Sequence, residues 1–292
     1  GLPLTQAPGA LFGGINFALT SNKRTESDVS PVIGLNWFFA DDAMLYGKYS
    51  RGFKSGGYNS DFATAGLDFF EYGDEFVDSY ELGLKSTLAD GRLQFNATLF
   101  SMQFQDFQVF QFLLNSQGQV SLALTNAAEA TSEGVEIETN WFPTDQLELT
   151  FNATWLNAEY DKFDNPGDPS LPPFTGNKLS FAPEWKSYFS AQYTLPVGNA
   201  GDLRIFADYS FVDDSFSDPS NDPSTFKMDS YSLVNARISW MPRSGRWELA
   251  AWGRNLGDEE YHSINNRNFL QFDRTIWGAP RTYGVSFNWF SN

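Results

Sequence analysis

The chain has 292 residues, with 19 Lys and Arg against 36 Asp and Glu, a formal net charge of −17, 17% aromatic residues and no cysteine. Such acidity excludes a nucleic-acid backbone as partner, because that contact needs Lys and Arg, and the lack of cysteine excludes thiolate metal sites. No run approaches the ~18–20 apolar residues of a membrane helix, yet a mean hydropathy of −0.36 leaves room for membrane strands, whose two unlike faces average to modest hydrophilicity.

Read from the start, Gly1-Leu2-Pro3-Leu4-Thr5-Gln6 carries neither an initiator Met nor a signal peptide. Residues 1–10 are therefore expected to be the lead-in of a processed or truncated chain. Residues 11–292 are expected to form one all-β unit. Period-two segments recur, each bounded by turn residues. The expected strands cover 11–20, 30–39, 43–54, 75–88, 92–112, 120–142, 146–162, 180–195, 202–216, 230–241, 246–256 and 281–290. That makes about twelve, mostly as long as the ~9–11 residues of a tilted membrane strand.

In the last segment Tyr283, Val285, Phe287 and Trp289 share one face, and Gly284, Ser286 and Asn288 the other. Leu147, Leu149, Phe151, Ala153 and Trp155 oppose Glu148, Thr150, Asn152 and Thr154 in the same way. A soluble β-sandwich also alternates, so two further features decide. Tight links at 40–42, 89–91, 143–145, 196–202 and 242–245 alternate with long polar links around 21–29, 55–74, 163–179, 217–229 and 257–280; the short link at 113–119 is the exception. Large aromatics gather beside the tight links: Trp37 to Phe39, Trp141 and Phe142, Trp240, Trp247, Trp289 and Phe290. Short periplasmic turns, long outer loops and an aromatic girdle describe an antiparallel transmembrane β-barrel.

Five motifs then carry a family likeness. Tyr46-Gly47-Lys48-Tyr49-Ser50-Arg51-Gly52-Phe53-Lys54-Ser55-Gly56-Gly57-Tyr58-Asn59 opens the series, and Ser79-Tyr80-Glu81-Leu82-Gly83-Leu84-Lys85 follows. Next come Asn126-Ala127-Ala128 with Gly134-Val135-Glu136-Ile137-Glu138, then Asn255-Leu256-Gly257-Asp258 with Tyr261, and Pro280-Arg281-Thr282-Tyr283-Gly284. In this order the chain resembles the TonB-dependent receptors of the bacterial outer membrane, of the iron-complex or siderophore type.

The resemblance implies the C-terminal half of a barrel of about 22 strands, here without the family's N-terminal plug and TonB-binding motif. It implies outer-membrane lipid, TonB (through that missing region) and a small-molecule iron complex as partners, and no cofactor, catalysis or resident metal. Gly83, Gly134 and Gly284 are expected where a strand bends or a neighbour packs closely. Glu81, Lys85, Glu136 and Glu138 are expected on a hydrated inner face.

Ligand contacts would come from outer loops, with aromatics for chelate rings and Arg for anionic complexes. The candidates are Tyr58, Phe69 and Tyr72 in the 55–74 link, and Tyr261, Arg267, Phe269, Arg274 and Trp277 in the last. Two rival readings compete with the receptor. One is an autonomous pore or translocator of about twelve strands. The other is a hydrolase using His262 beside Ser263, although sequence neighbours are poorly placed to act as base and nucleophile. The acidic runs Asp161, Asp164, Asp168 and Asp213, Asp214, Asp218, Asp222 offer oxygen ligands for Ca²⁺ without EF-hand spacing; solvated loop charge is the favoured account of them.

Overall fold

The computed structural model describes residues 24–59, 71–114, 120–164, 172–267 and 272–290. The first strands are β1 (Val32–Ala40), β2 (Ala43–Lys54), the short β3 (Gly57–Tyr58) and β4 (Glu71–Tyr72), and β5 (Glu75–Leu88). Then come β6 (Leu93–Leu114), β7 (Val120–Thr144), β8 (Leu147–Phe163), β9 (Trp185–Pro196) and β10 (Asp202–Val212). The short β11 (Ser215–Phe216) and β12 (Lys227–Met228) precede β13 (Tyr231–Met241) and β14 (Trp247–Arg254). A separate hairpin, β15 (His262–Arg267) and β16 (Asp273–Trp277), leads to β17 (Thr282–Trp289).

Eleven of these make a single antiparallel sheet in the order β1-β2-β5-β6-β7-β8-β9-β10-β13-β14-β17. Each long strand neighbours the next long strand in the chain, which is the up-and-down order of a barrel wall. The expected strand at 11–20 lies outside the described residues. Both β1 and β17 run toward the tight-link end, so among the described residues the two free edges cannot pair antiparallel with each other.

Directly opposed residues share a face of the sheet. One outward row reads Leu82, Leu99, Val135, Trp155 and Trp185 across β5 to β9. Another reads Tyr193, Ile205, Ile238, Ala251 and Val285 across β9 to β17. Much of this surface has no protein cover: Leu99 is 51% exposed, Ile238 50% and Val285 73%. A wall of bare leucine, isoleucine and valine this extensive is untenable in water and ordinary against acyl chains. Along β8 the apolar face runs from Leu147 to Trp155, about 26 Å of strand, which tilt brings near the thickness of the lipid band.

Aromatic rings edge that band at both heights. Trp37, Trp141, Trp240, Trp247 and Trp289 sit at the tight-link end, where Trp240 Nε1 donates to Ala200 O at 2.9 Å. Tyr49 and Tyr80 (ring centroids 5.3 Å apart), Trp155, Trp185 and Tyr209 sit at the other. Above them the outward face turns polar, with Arg51 paired to Asp78 at 3.3 Å.

The opposite face is hydrated and charged. Lys48 pairs with Glu81 at 2.8 Å, and the Arg237 guanidinium grips both Glu248 oxygens at 3.1 and 2.7 Å. Asn235 donates to Asp208 at 2.7 Å and Gln192 to Glu148 at 3.2 Å. The expected close approaches are here too. Tyr46 lies across Gly83, Phe100 across Gly134 and Trp252 across Gly284, each ring filling the space of an absent Cβ on the strand opposite.

Two boundaries differ from expectation. The strand expected from residue 180 starts at Trp185, because residues 172–184 instead fold back along the upper half of β8. Phe174 N donates to Phe163 O, Gly176 N to Tyr160 O, Tyr160 N to Asn177 O and Leu179 N to Ala158 O, all at 2.8–2.9 Å. The strand expected over 202–216 stops at Val212, where the Asp213 amide turns to Trp185 O at 2.9 Å and Ser215–Phe216 leaves to pair with β12. The fold-back covers a small core on the lumen side above the membrane, in which Phe107, Tyr160, Phe163 and Phe174 pack tilted or edge to face.

Candidate functional site

At the long-link end, side chains tie loops to backbone. Asn126 donates to Gly73 O at 3.0 Å and to Asp106 O at 2.7 Å, and accepts from the Gly73 amide. Gln108 donates to Ser55 O at 3.1 Å and Gly73 O at 3.0 Å. One Asn and one Gln thus pin the residues flanking the β3–β4 pair, Ser55 and Gly73, to the tall β6–β7 hairpin. Arg24 joins the same group, pairing with Glu71 at 2.9 Å and Asp74 at 3.1 Å as well as with Glu26.

A second group joins the fold-back, the β10–β13 link and the last link. Asn177 donates to Pro219 O at 2.9 Å, and Asn221 accepts from Lys178 N at 2.7 Å. The Ser217 hydroxyl donates to Asn265 O, and Asn265 donates to Lys227 O at 2.6 Å. The link 257–280, expected to be an irregular loop, therefore contains the hairpin β15–β16 docked on β12.

Asn255, almost fully buried and in the left-handed region at φ 48°, anchors the foot of this link. Its side chain donates to Glu259 O at 2.9 Å and Ala279 O at 3.1 Å, and accepts from Glu259 N at 2.8 Å. Asp258 receives the Arg281 amide at 3.2 Å and its guanidinium at 3.1 Å. Two of the sequence motifs are thus one structural clip.

The candidate residues fall into both groups. Tyr58 and Tyr72 lie half-buried on the β3–β4 pair, where the Tyr72 hydroxyl fills the space beside Gly57. Phe69 and Phe269 lie outside the described residues. Tyr261 stacks on Tyr231, with ring centroids 4.3 Å apart and planes at 19°. Trp277 is 57% exposed and meets the His262 ring edge to face at 4.6 Å. The fold brings Tyr261 and Trp277 to the base of one hairpin, through Gly278 N donating to Tyr261 O at 2.8 Å.

Arg267 is committed elsewhere. It pairs with Asp273 at 2.7 and 3.2 Å and donates to Thr225 Oγ1 at 2.9 Å. Arg274 extends from the exposed hairpin and donates to Asn266 Oδ1 at 3.1 Å. Tyr231, the floor of the aromatic stack, was not among the candidates, because it stands at the head of a wall strand and carries no loop signature.

His262 Nδ1 faces Asn265 Nδ2 at 3.1 Å, a hairpin contact and not a nucleophile–base pair with Ser263. The acidic run from Asp213 caps turns and pairs with lysine. Asp214 meets Lys227 at 2.9 Å, Asp218 receives Ser220 N at 2.9 Å, and Asp222 receives Ser224 N at 2.9 Å and Oγ at 2.7 Å. The Ser224 hydroxyl and amide hold the Asp222 carboxyl below its ordinary range, and the Arg267 guanidinium does the same to Asp273. Among the described residues no group of His, Asp or Glu is placed to hold a metal ion.

Comparison with known proteins agrees with this geometry. The family model described as TonB dependent receptor-like, beta-barrel, matches residues 6–256. The pesticin receptor of Yersinia pestis is 25% identical over 264 residues, covering 90% of this chain and 36% of that receptor. The metal-pseudopaline receptor CntO of Pseudomonas aeruginosa is 24% identical over 264 residues, covering 90% and 33%. Among solved structures, the ferric yersiniabactin uptake receptor FyuA from Yersinia pestis superposes with a TM-score of 0.73 at 22% identity, over 88% of this chain and 36% of that one. The chain spans about a third of the length of these relatives.

Proposed function

The chain belongs to the TonB-dependent receptor β-barrel family, and from that premise we propose that it supplies wall and outer loops to a receptor that takes up a ferric siderophore or a similar iron complex. Uptake would draw on energy passed through TonB. Barrels of this family sit in the outer membrane, and the outward apolar band fits that setting. Residues 11–292 would act as one barrel portion, with no chemistry of their own.

The single observation that carries the proposal is the pairing of two features on one sheet. The apolar face is turned out along its whole width, and the polar face leads up to a side-chain-pinned group of loops bearing exposed aromatic rings. Relatives named for ferric yersiniabactin and ferric preacinetobactin support iron chelates as the cargo class. Tyr58 and Tyr72 in the first loop group, and Tyr261, Arg274 and Trp277 on the last link, are the proposed contacts. Phe69, Phe269 and Arg267, the last tied to Asp273, complete the proposed set.

Trp277 offers the test. Ferric hydroxamate, catecholate, citrate and mixed thiazoline–phenolate chelates are titrated onto the protein in detergent while tryptophan emission is followed. At least one should quench the emission, and Trp277→Ala should weaken its binding about tenfold, the loss typical of one aromatic anchor. If no ferric chelate quenches or is retained on the protein, the receptor reading fails.

A further inference from the structure

The last outer link carries the chain's one histidine, and its hydrogen bonds fix which form of the ring the fold accepts. Asn265, 6% exposed on β15, lies between β12 and the His262 ring. Its Nδ2 donates to Lys227 O at 2.6 Å and stands 3.1 Å from His262 Nδ1. A backbone carbonyl accepts and never donates, so the atom beside Lys227 O is the amide nitrogen. That nitrogen brings a second hydrogen and no acceptor, so His262 Nδ1 must be bare to receive it. The docked hairpin therefore holds a neutral ring with its proton on Nε2.

A charged imidazole carries N–H on both nitrogens. Its Nδ1–H would point at the Asn265 amide hydrogens, donor against donor at a buried group. Two responses are open, and each undoes a contact. The ring can swing away from Trp277, which it meets edge to face at 4.6 Å and faces across the base of the hairpin. Alternatively the amide can turn over and offer the ring Oδ1, which is buried without a partner among the described residues. That sets oxygen against Lys227 O and removes the bond to β12. The Ser217 hydroxyl on Asn265 O and Arg267 on Thr225 are then left to hold the hairpin down.

The other titratable and charged groups on the surrounding elements are of different kinds. β12 brings Lys227, paired with Asp214 at 2.9 Å and Asp229 at 3.6 Å. β16 brings Arg274 and Asp273, the latter paired with Arg267. The segment before β12 brings Asp218 and Asp222, the turn before β15 brings Glu259 and Glu260, and β13 brings Tyr231 stacked on Tyr261. In a chain without cysteine, imidazole is the side-chain type that ordinarily changes charge between about pH 5 and 8.

We propose that His262 is an acid-released latch on the last outer link: the neutral ring holds the β15–β16 hairpin in its docked form, and protonation loosens the hairpin that carries Trp277. Docking needs the neutral ring, so this stabilisation is present at neutral pH and above and is lost as acid charges the ring. The inference goes beyond the receptor reading and does not depend on it, since it concerns the hairpin and not the cargo.

One histidine gives one set of imidazole signals, so nitrogen NMR of the chain in detergent micelles reads the tautomer directly. At about pH 8 the proton should lie on Nε2. Hydrogen exchange of the 262–267 amides, corrected for intrinsic rates, should lose at least about fivefold in protection between about pH 8 and pH 5, measured against β6. His262→Phe keeps an aromatic ring beside Trp277 and has no ring proton to gain. Whether or not that variant docks, its hairpin protection should agree at the two pH values within about twofold. A proton on Nδ1 at the higher pH, equal protection of the parent hairpin at both, or a pH dependence that survives His262→Phe overturns the latch. Each of these results leaves the receptor reading untouched.

Discussion

Leu99→Arg should block or strongly weaken assembly, costing about 2–4 kcal/mol, the range for a cationic side chain near the midplane of a barrel's lipid face. Leu99 stands in the outward row between Leu82 and Val135, and half of its surface has no protein cover. The paired control is Asn152→Arg on the inner face, where Glu138 lies directly opposite on one side and Tyr188 on the other. That arginine gains a carboxylate and water, so it should change stability by less than about 0.5 kcal/mol, as surface substitutions usually do. Urea titration of both variants refolded into lipid measures the contrast. Equal tolerance of the two would mean that the wall faces are not solvated as described here.

Gly134→Val should cost about 3 kcal/mol, at the upper end of what overpacking does. Any Cβ at this position runs into the carbonyl oxygen of Trp155 and meets the Phe100 ring at 2.8 Å. The carbonyl does not give way cheaply, because it belongs to the backbone of β8, and the Phe100 ring would have to leave its place across Gly134. Gly47→Ala is the matched control, because nothing lies within 4 Å of its added Cβ. That change should be neutral or slightly stabilising, since glycine inside a strand brings no side chain to pack. Urea midpoints and heat-modifiable gel mobility report both. A Gly134→Val protein as stable as the parent would show that Phe100 does not lie where it is placed.

The wall was legible in the sequence because its period of two is tied to two chemically unlike solvents. Val135, Ile137 and Trp141 could be assigned a face, and Glu136, Glu138 and Asn140 the other, without knowing any partner strand. The three glycines were legible for a related reason: each interrupts a strand pattern that otherwise offers a side chain. The loops were not legible, because their order comes from contacts distant in sequence. Asn126 reaches back to Gly73, and Asn265 to Lys227. Nothing local in Ser180 or Phe181 says that the segment will follow β8 instead of beginning β9.

The binding candidates show the same division. Choosing exposed-loop aromatics found Tyr261 and Trp277, which the fold does bring together. It did not include Tyr231, which joins Tyr261 only through the stack. Arginine was chosen for its charge, and residue type alone cannot reveal that Asp273 sits directly across the hairpin from Arg267. The β15–β16 hairpin went unseen because its strands are short and mostly polar, which leaves too little alternation to register.

The orientation of the wall is open to direct measurement, since a chain without cysteine accepts single thiols for spin labelling at will. Labels at Asn96, Ala97, Thr98, Leu99, Phe100 and Ser101 in turn would be exposed to lipid-soluble oxygen and to a water-soluble nickel chelate. The account predicts a two-residue alternation, with positions 97, 99 and 101 relaxed by oxygen and 96, 98 and 100 by nickel. The opposite phase, or nickel access at every position, would place the leucines in water and contradict the membrane-spanning assignment on which the rest depends.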